Sequence, residues 1–269
     1  FDMDKDGDRD LIVGTWQGDI MYYRYDDEEF VQDNTSRDFL FGAINSMDWY
    51  FVTVRMADIF DSLPSKPGTE LIAAFYDNSN EVWDIEIFYL SSPFEISYDP
   101  ARAFSLAGCE LTEKLRSILQ SGIFGAPITF DVEDIDGNGL KDIVLTINRE
   151  LYLLRYVGGD QEVPQFVLDE DYFSGIVEQI GDKYPYEPEI VDFNNDGICD
   201  IVISYYNHKG TTYFENIGTR DDPIWVEKRQ LFANSLSSTN PITNFAYNGY
   251  RWSRIVKDGD KYYLFAHKK

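Results

Sequence analysis

Histidine and cysteine are nearly missing from this chain: His208, His267, Cys109 and Cys199 are the full complement in 269 residues. Two cysteines cannot make a disulfide framework. One bridge or two free thiols stay open, with free thiols expected. Basic residues are scarce as well, 23 Lys+Arg against 48 Asp+Glu, for a formal net charge of −25 at pH 7. Such a surface repels phosphate backbones and anionic lipids, so nucleic acid is excluded as an expected partner. No run of 18 apolar residues occurs, and no segment reads as a membrane-spanning helix. A nucleophile elbow, a Walker-type loop, a Rossmann fingerprint and an H-E-x-x-H helix are all missing from the sequence. The sequence opens at Phe1 inside a motif, which raises the expectation of a processed product or part of a longer chain, with targeting signals elsewhere.

What the chain does have is apolar and aromatic mass: 43% hydrophobic and 16% aromatic residues, with 19 Tyr and 19 Phe. That is ample for a core and favours strands. One pattern, D-x-[DN]-x-[DN]-G-x-x-D, occurs three times. Its copies begin at Asp2 (with Asp4, Asp6, Gly7, Asp8 and Asp10), at Asp134 (Asp136, Asn138, Gly139, Leu140, Asp142) and at Asp192 (Asn194, Asp196, Gly197, Ile198, Asp200). A short apolar run follows each loop: Leu11 to Val13, Ile143 to Leu145, Ile201 to Ile203. After a polar turn a second, aromatic-rich run appears at Ile20 to Tyr25, Leu151 to Tyr156 and Thr211 to Asn216. Such runs, split by Gly, Asp or Asn turns, read as strands in hairpins.

Asp142 to Asp200 is 58 residues, whereas Asp10 to Asp142 is 132, about two units. A degenerate copy fits the gap, from Asp58 and Asp61 through Gly68 to Glu70 and an apolar run; its alternating carboxylates are gone, and we expect it to hold no metal. Arg251 to Val256 and Lys261 to Ala266 flank an Asp258-Gly259 turn and suggest an incomplete fifth unit. Glu110 to Gln120 is the one stretch expected to be helical. Small antiparallel sheets of this kind cannot bury both faces alone and must stack face to face. The expected fold is therefore all-β: a β-propeller, whole or partial, of four-stranded blades, as one domain over 1–269. The expected units span roughly 1–47, 48–126, 127–186, 187–242 and a partial 243–269. A two-sheet sandwich or a solenoid is the alternative.

In each loop the side chains at positions 1, 3 and 5 converge when the chain curls, and Gly at position 6 permits the turn. The carbonyl at position 7 (Asp8, Leu140, Ile198) and the carboxylate at position 9 (Asp10, Asp142, Asp200) complete an all-oxygen set. That chemistry suits Ca²⁺; zinc would want His or Cys, and Mg²⁺ tighter octahedral order. An EF-hand would need Glu at position 12, where Val13, Leu145 and Ile203 stand. About three calcium sites are expected.

At these residues the units resemble FG-GAP/VCBS repeats, the calcium-bearing blades of integrin-α-type propellers and of many secreted surface proteins. The copy from Ile190 to Trp225 is the closest match, and the likeness spans most of Phe1 to Arg229. It is specific for the blade and says little of function. It implies a non-catalytic, extracellular or cell-surface module for recognition, adhesion or assembly, with a protein or glycan ligand. Two alternatives stand beside that reading: a carbohydrate-active enzyme (a polysaccharide lyase or hydrolase) or its accessory domain, and a structural subunit of a surface filament. No catalytic residue is assigned. His208 reads as a solvated turn residue, and Cys199 as a small inert hydrophobe. Tyr247, Tyr250 and Trp252 are the candidate ligand-stacking rings.

Overall fold

The structure, a computed structural model, describes residues 2, 6–33, 48–59, 70–92, 95–96, 104–105, 113–121, 127–148, 150–160, 163–181, 185–205, 211–228, 250–258 and 261–268. Antiparallel sheets dominate, as the alternating and aromatic-rich runs predict. The first sheet has order β1-β2-β3, built from β1 (Leu11–Gly14), β2 (Ile20–Asp26) and β3 (Glu29–Gln32). The second runs β4 (Trp49–Ala57), β5 (Glu70–Asp77), β6 (Val82–Ser92) and β7 (Glu95–Ile96), with β8 (Phe104–Ser105) also on β6. Helix α1 (Glu113–Gln120) follows, at the C-terminal part of the stretch expected to be helical. The third sheet has order β12-β11-β10-β9, from β9 (Thr129–Glu133), β10 (Asp142–Ile147), β11 (Glu150–Asp160) and β12 (Val163–Asp169). The fourth is β13-β14-β15-β16, from β13 (Pro185–Val191), β14 (Asp200–Tyr205), β15 (Thr211–Asn216) and β16 (Trp225–Glu227). A hairpin of β17 (Tyr250–Asp258) and β18 (Lys261–Lys268) ends the chain, its strands covering the two runs expected there.

The sequence pattern missed two features. Helix α2 (Ser174–Ile180) has seven residues and no side-chain cap, too little periodicity to signal itself. A strand also precedes each described loop in the third and fourth sheets, β9 before Asp134 and β13 before Asp192.

The chain divides into two compact units, Phe1–Ile128 with Tyr156–Val167, and Thr129–Arg155 with Leu168–Lys269. In the first, sheets one and two pack face to face. Ile20 and Tyr22 of β2 meet Trp49, Val52 and Val54 of β4 and Leu71, Ala73 and Phe75 of β5. Trp49 stacks on Phe75, centroids 3.5 Å apart. In the second unit, Val144, Leu151 and Leu153 pack with Ile201, Ile203, Phe214 and Trp225, and α2 adds Ile176 and Ile180. Trp225 Nε1 donates to the Tyr172 carbonyl at 3.0 Å, and Gln179 Nε2 donates to the Trp225 carbonyl at 2.7 Å, so β16 holds the helix. The strands that follow the loops, β5 over Glu70 to Phe75 and β10 and β14 throughout, are buried on both faces. That is the burial expected of an inner layer rather than of a one-sided sheet.

The first two sheets are pinned by backbone. A bulge in β4 places Phe51 at φ 56, and the Phe51 and Val52 amides leave the β5 ladder. They donate instead to the carbonyls of Trp16 (3.0 Å) and Thr15 (3.0 Å) in the β1–β2 turn. A Cβ at Gly14 would overlap the Val52 carbonyl, so the approach requires glycine there. Gly14→Ala is expected to lower stability by about 1–3 kcal/mol, the usual penalty of overpacking. Urea unfolding of the variant against the parent measures it; an unchanged midpoint would contradict the contact.

Candidate metal-binding loops

Each loop is built from the same hydrogen bonds. The position-1 carboxylate accepts from the position-6 glycine amide: Asp2 from Gly7, Asp134 from Gly139 and Asp192 from Gly197, each at 3.1 Å. The position-5 side chain accepts from the position-7 amide: Asp6 from Asp8 (2.9 Å), Asn138 from Leu140 (2.6 Å) and Asp196 from Ile198 (2.8 Å). At position 3, Asp136 accepts from the Asn138 amide and Asn194 from the Asp196 amide, both at 3.0 Å. These are successive Asx turns, and they curl the chain tightly. The position-6 glycines sit at φ 102, 85 and 84, where other L residues are strained. Position 4 is also left-handed, with Gly137 at φ 75 and Asn195 at φ 59; nothing in the D-x-[DN]-x-[DN]-G spacing announces that.

The position-9 carboxylate anchors the loop to the sheet. Asp142 and Asp200 are fully buried. Asp200 Oδ2 accepts from the Tyr213 hydroxyl (2.7 Å) and the Phe193 amide (3.1 Å), and Oδ1 from the Asn216 amide (3.0 Å). Asp10 repeats the arrangement, accepting from the Tyr22 hydroxyl (2.9 Å) and the Tyr25 amide (3.1 Å). Leu153 replaces the tyrosine in the second copy, where Asp142 accepts from the Ile135 amide at 3.2 Å. The degenerate copy keeps the anchor: buried Glu70 accepts from the Ile59 amide at 2.9 Å. Residues 60–69, with Asp61 and Gly68, lie outside the described residues.

Carboxylate oxygens of Asp134, Asp136 and Asp142 lie within 4.8 Å of one another, the one such group of three among the described residues. Asp134 Oδ1 is buried and accepts no hydrogen bond, and the equivalent Asp2 Oδ1 is alike. A buried carboxylate oxygen without a donor is costly, and a cation would relieve it. This donor set, all oxygen, fits a hard divalent ion. Asp4 lies outside the described residues, whereas Asp2, Asp6, Asp8 and Asp10 are within them.

Two arginines, unremarked in the sequence because they lie far from the loops along the chain, brace the second and third copies. Arg155 of β11 pairs with Asp136 (2.8 Å) and Asp169 (3.0 Å) and lies 4.9 Å from the Tyr172 ring centroid. Burial works to lower the Arg155 pKa, but the bonds to Asp136 and Asp169 outweigh it and raise the value. Arg220 donates from Nε to the Gly197 carbonyl (3.1 Å) and lies 4.0 Å from Asp134, bridging two loops. Cys199 Sγ also faces the Asp134 carbonyl, at 3.7 Å. Cys199 is a free thiol, pushed up to about 12 by burial and nearby carboxylates. Cys109, His208 and Tyr247 lie outside the described residues, while Tyr250, Trp252 and His267 fall on the backbone of the β17–β18 hairpin.

Tyr213→Phe removes one donor from a buried carboxylate and is expected to cost about 1–3 kcal/mol of stability. Chemical denaturation of the ion-free protein tests this, a loss under ~0.5 kcal/mol being the contrary result. A half-buried acid gives a pH prediction. Glu86 of β6 has an Oε2 without a hydrogen-bond partner. Burial, then Asp84 and Asp77, raise its pKa from 4.5 to about 7. The folded state therefore holds its proton longer than the unfolded chain, so stability falls as pH rises from 4.5 to about 7. Glu86→Gln should flatten that part of the stability–pH curve; parallel curves for parent and variant would refute the assignment.

No protein-family model matches the chain, and no curated protein and no solved structure matches it either.

Proposed function

We propose that the chain is a calcium-stabilised scaffold of FG-GAP/VCBS type, its sheets the blades of a whole or partial β-propeller. In this reading it works outside the cell as a non-catalytic recognition, adhesion or assembly module for a protein or glycan. The observation that carries the proposal is the threefold repeat of one loop geometry, with the Asp134–Asp136–Asp142 cluster the one carboxylate trio among the described residues. Asp134, Asp136, Asn138, the Leu140 carbonyl and Asp142 would hold one ion. Asp192, Asn194, Asp196, the Ile198 carbonyl and Asp200 would hold a second. Asp2, Asp4, Asp6, the Asp8 carbonyl and Asp10 would hold a third. Calcium would neutralise carboxylates that otherwise repel and would fix the connection into the following strand; millimolar calcium outside cells suits weak to moderate sites.

Face-to-face packing of sheets one and two, and of three and four, supports stacked blades. The loops commit their side chains to the turn and the ion, which leaves recognition to the connections between sheets. The stretches Asp33 to Ser46, Leu106 to Gly125 and Phe232 to Asn248 would be those connections, and Tyr247, Tyr250 and Trp252 their candidate stacking rings.

A chelator is expected to lower the melting temperature. Each ion bound only by the folded state adds about 2.7 kcal/mol at a hundredfold excess over Kd. Terbium luminescence titration should count about three sites, and Asp134→Ala should remove one of them. A melting temperature indifferent to both chelator and added calcium, with no terbium uptake, would refute the reading.

A further inference from the structure

The arginine that enters the second loop is held mainly from outside it. β10 and β11 pair Ile143 with Leu154, which sets Arg155 across from Asp142 at the head of the inner strand. Its guanidinium makes one bond into the loop, from Nη1 to Asp136 Oδ2 at 2.8 Å. The other holds lie on the connection into α2. Nε donates to Asp169 Oδ2 at 3.1 Å, Nη2 lies 3.0 Å from the same oxygen, and the Tyr172 ring centroid is 4.9 Å away. Asp169 is fixed in turn by the backbone, its Oδ1 accepting from the Asp171 (3.2 Å) and Tyr172 (3.1 Å) amides. Moving the guanidinium off Asp136 breaks one bond and leaves the rest in place.

That one bond falls on a group an ion would need. Asp136 is the position-3 side chain and a member of the close trio with Asp134 and Asp142. It already accepts from the Asn138 amide (3.0 Å), from Asn138 Nδ2 (3.2 Å) and from Arg155. The third loop is built otherwise. There Glu215 occupies the register position of Arg155. The position-3 side chain, Asn194, donates from Nδ2 to Asp196 (2.9 Å) and to Glu215 (3.5 Å). A guanidinium steadies neighbouring carboxylates while no ion is bound, and it repels a divalent ion that shares them.

We infer that Arg155 is the resident counter-cation of the second loop, holding Asp136 while the loop is ion-free and withdrawing onto Asp169 when a divalent ion takes that carboxylate. Arg155 thus stabilises the ion-free loop and weakens ion binding to it, and Asp169 sets how readily the guanidinium lets go. The inference rests on the calcium reading of the loops and adds to it a residue that tunes one site.

Terbium luminescence titration of the full chain, with calcium as competitor, tests it on the parent, Arg155→Met and Asp169→Asn. A companion of each carrying Asp134→Ala identifies the step that belongs to the second loop. Met keeps an unbranched apolar stem without the charge, and Asn keeps an acceptor for the turn amides without the charge. Arg155→Met is expected to tighten the second-loop step by about tenfold or more, from the repulsion removed. The same variant should melt at a lower temperature in chelator, because Asp136 loses its ion pair. Asp169→Asn is expected to weaken the second-loop step by about threefold or more, since the guanidinium then rests on Asp136 alone. A second-loop step unchanged or weakened in Arg155→Met, beside normal uptake by the parent, would overturn the exchange and leave the calcium reading standing. An equal gain in the steps that survive Asp134→Ala would also overturn it, as a general effect of net charge. Should Arg155→Met fail to fold, Asp169→Asn decides: a step no weaker than the parent's refutes the inference. No terbium uptake by the parent or either variant would remove the calcium reading and this inference together.

Discussion

A carboxylate at the head of the inner strand, buried and in need of hydrogen-bond donors, is the constraint on which these sheets depend. Asp142 and Asp200 are fully buried and Glu70 nearly so. Taking such a group out of water costs several kcal/mol unless donors surround it, roughly 1–3 kcal/mol for each bond left unmade. The donors are amides of the preceding loop for Asp142 and Asp200, and a tyrosine hydroxyl and an amide of the next strand for Asp10 and Asp200. The loop therefore has to curl back over the strand it leads into. Glu70 makes the same bond to Ile59 across a longer connection. The anchor thus operates where the alternating acids have been lost, which separates two functions of the loop. Its closure is a matter of backbone hydrogen bonding, and its ion chemistry is added to a turn already formed.

This separation explains what could be read in advance. The three loops, the strands after them and the hairpin near Asp258 were legible because their residues are contiguous and their physics is local: Asx turns, a left-handed glycine, alternating apolar runs. Glu70 was legible as a strand-leading acid for the same reason. Arg155 and Arg220 were not, because their partners are distant in sequence: Asp136 is 19 residues from Arg155 and Gly197 is 23 from Arg220. Helix α2 escaped because its helicity comes from packing, Ile176 and Ile180 against Trp225 and Phe173, rather than from caps or propensity. The bulge of β4 was not readable, since Phe51 is an unfavourable residue for a left-handed φ and is held there by the turn it faces.

The loops are built alike but stand in different fields, and that difference follows from one register position. The residue across from the anchor acid is Arg24 in the first copy, Arg155 in the second and Glu215 in the third, each one step beyond the first cross-strand pair. Arg24 pairs with Asp26 at 3.0 Å. Arg155 enters its loop and takes Asp136, so an ion there has to share or displace a guanidinium. Glu215 adds negative charge beside Asn194 and is itself held by Lys228 at 2.8 Å. A divalent ion gains most where the acids are least neutralised by the protein itself. The one close carboxylate trio among the described residues is therefore also one whose charge the fold has already partly met. In a chain of net charge −25 the arginines set how far the protein itself neutralises its acidic loops.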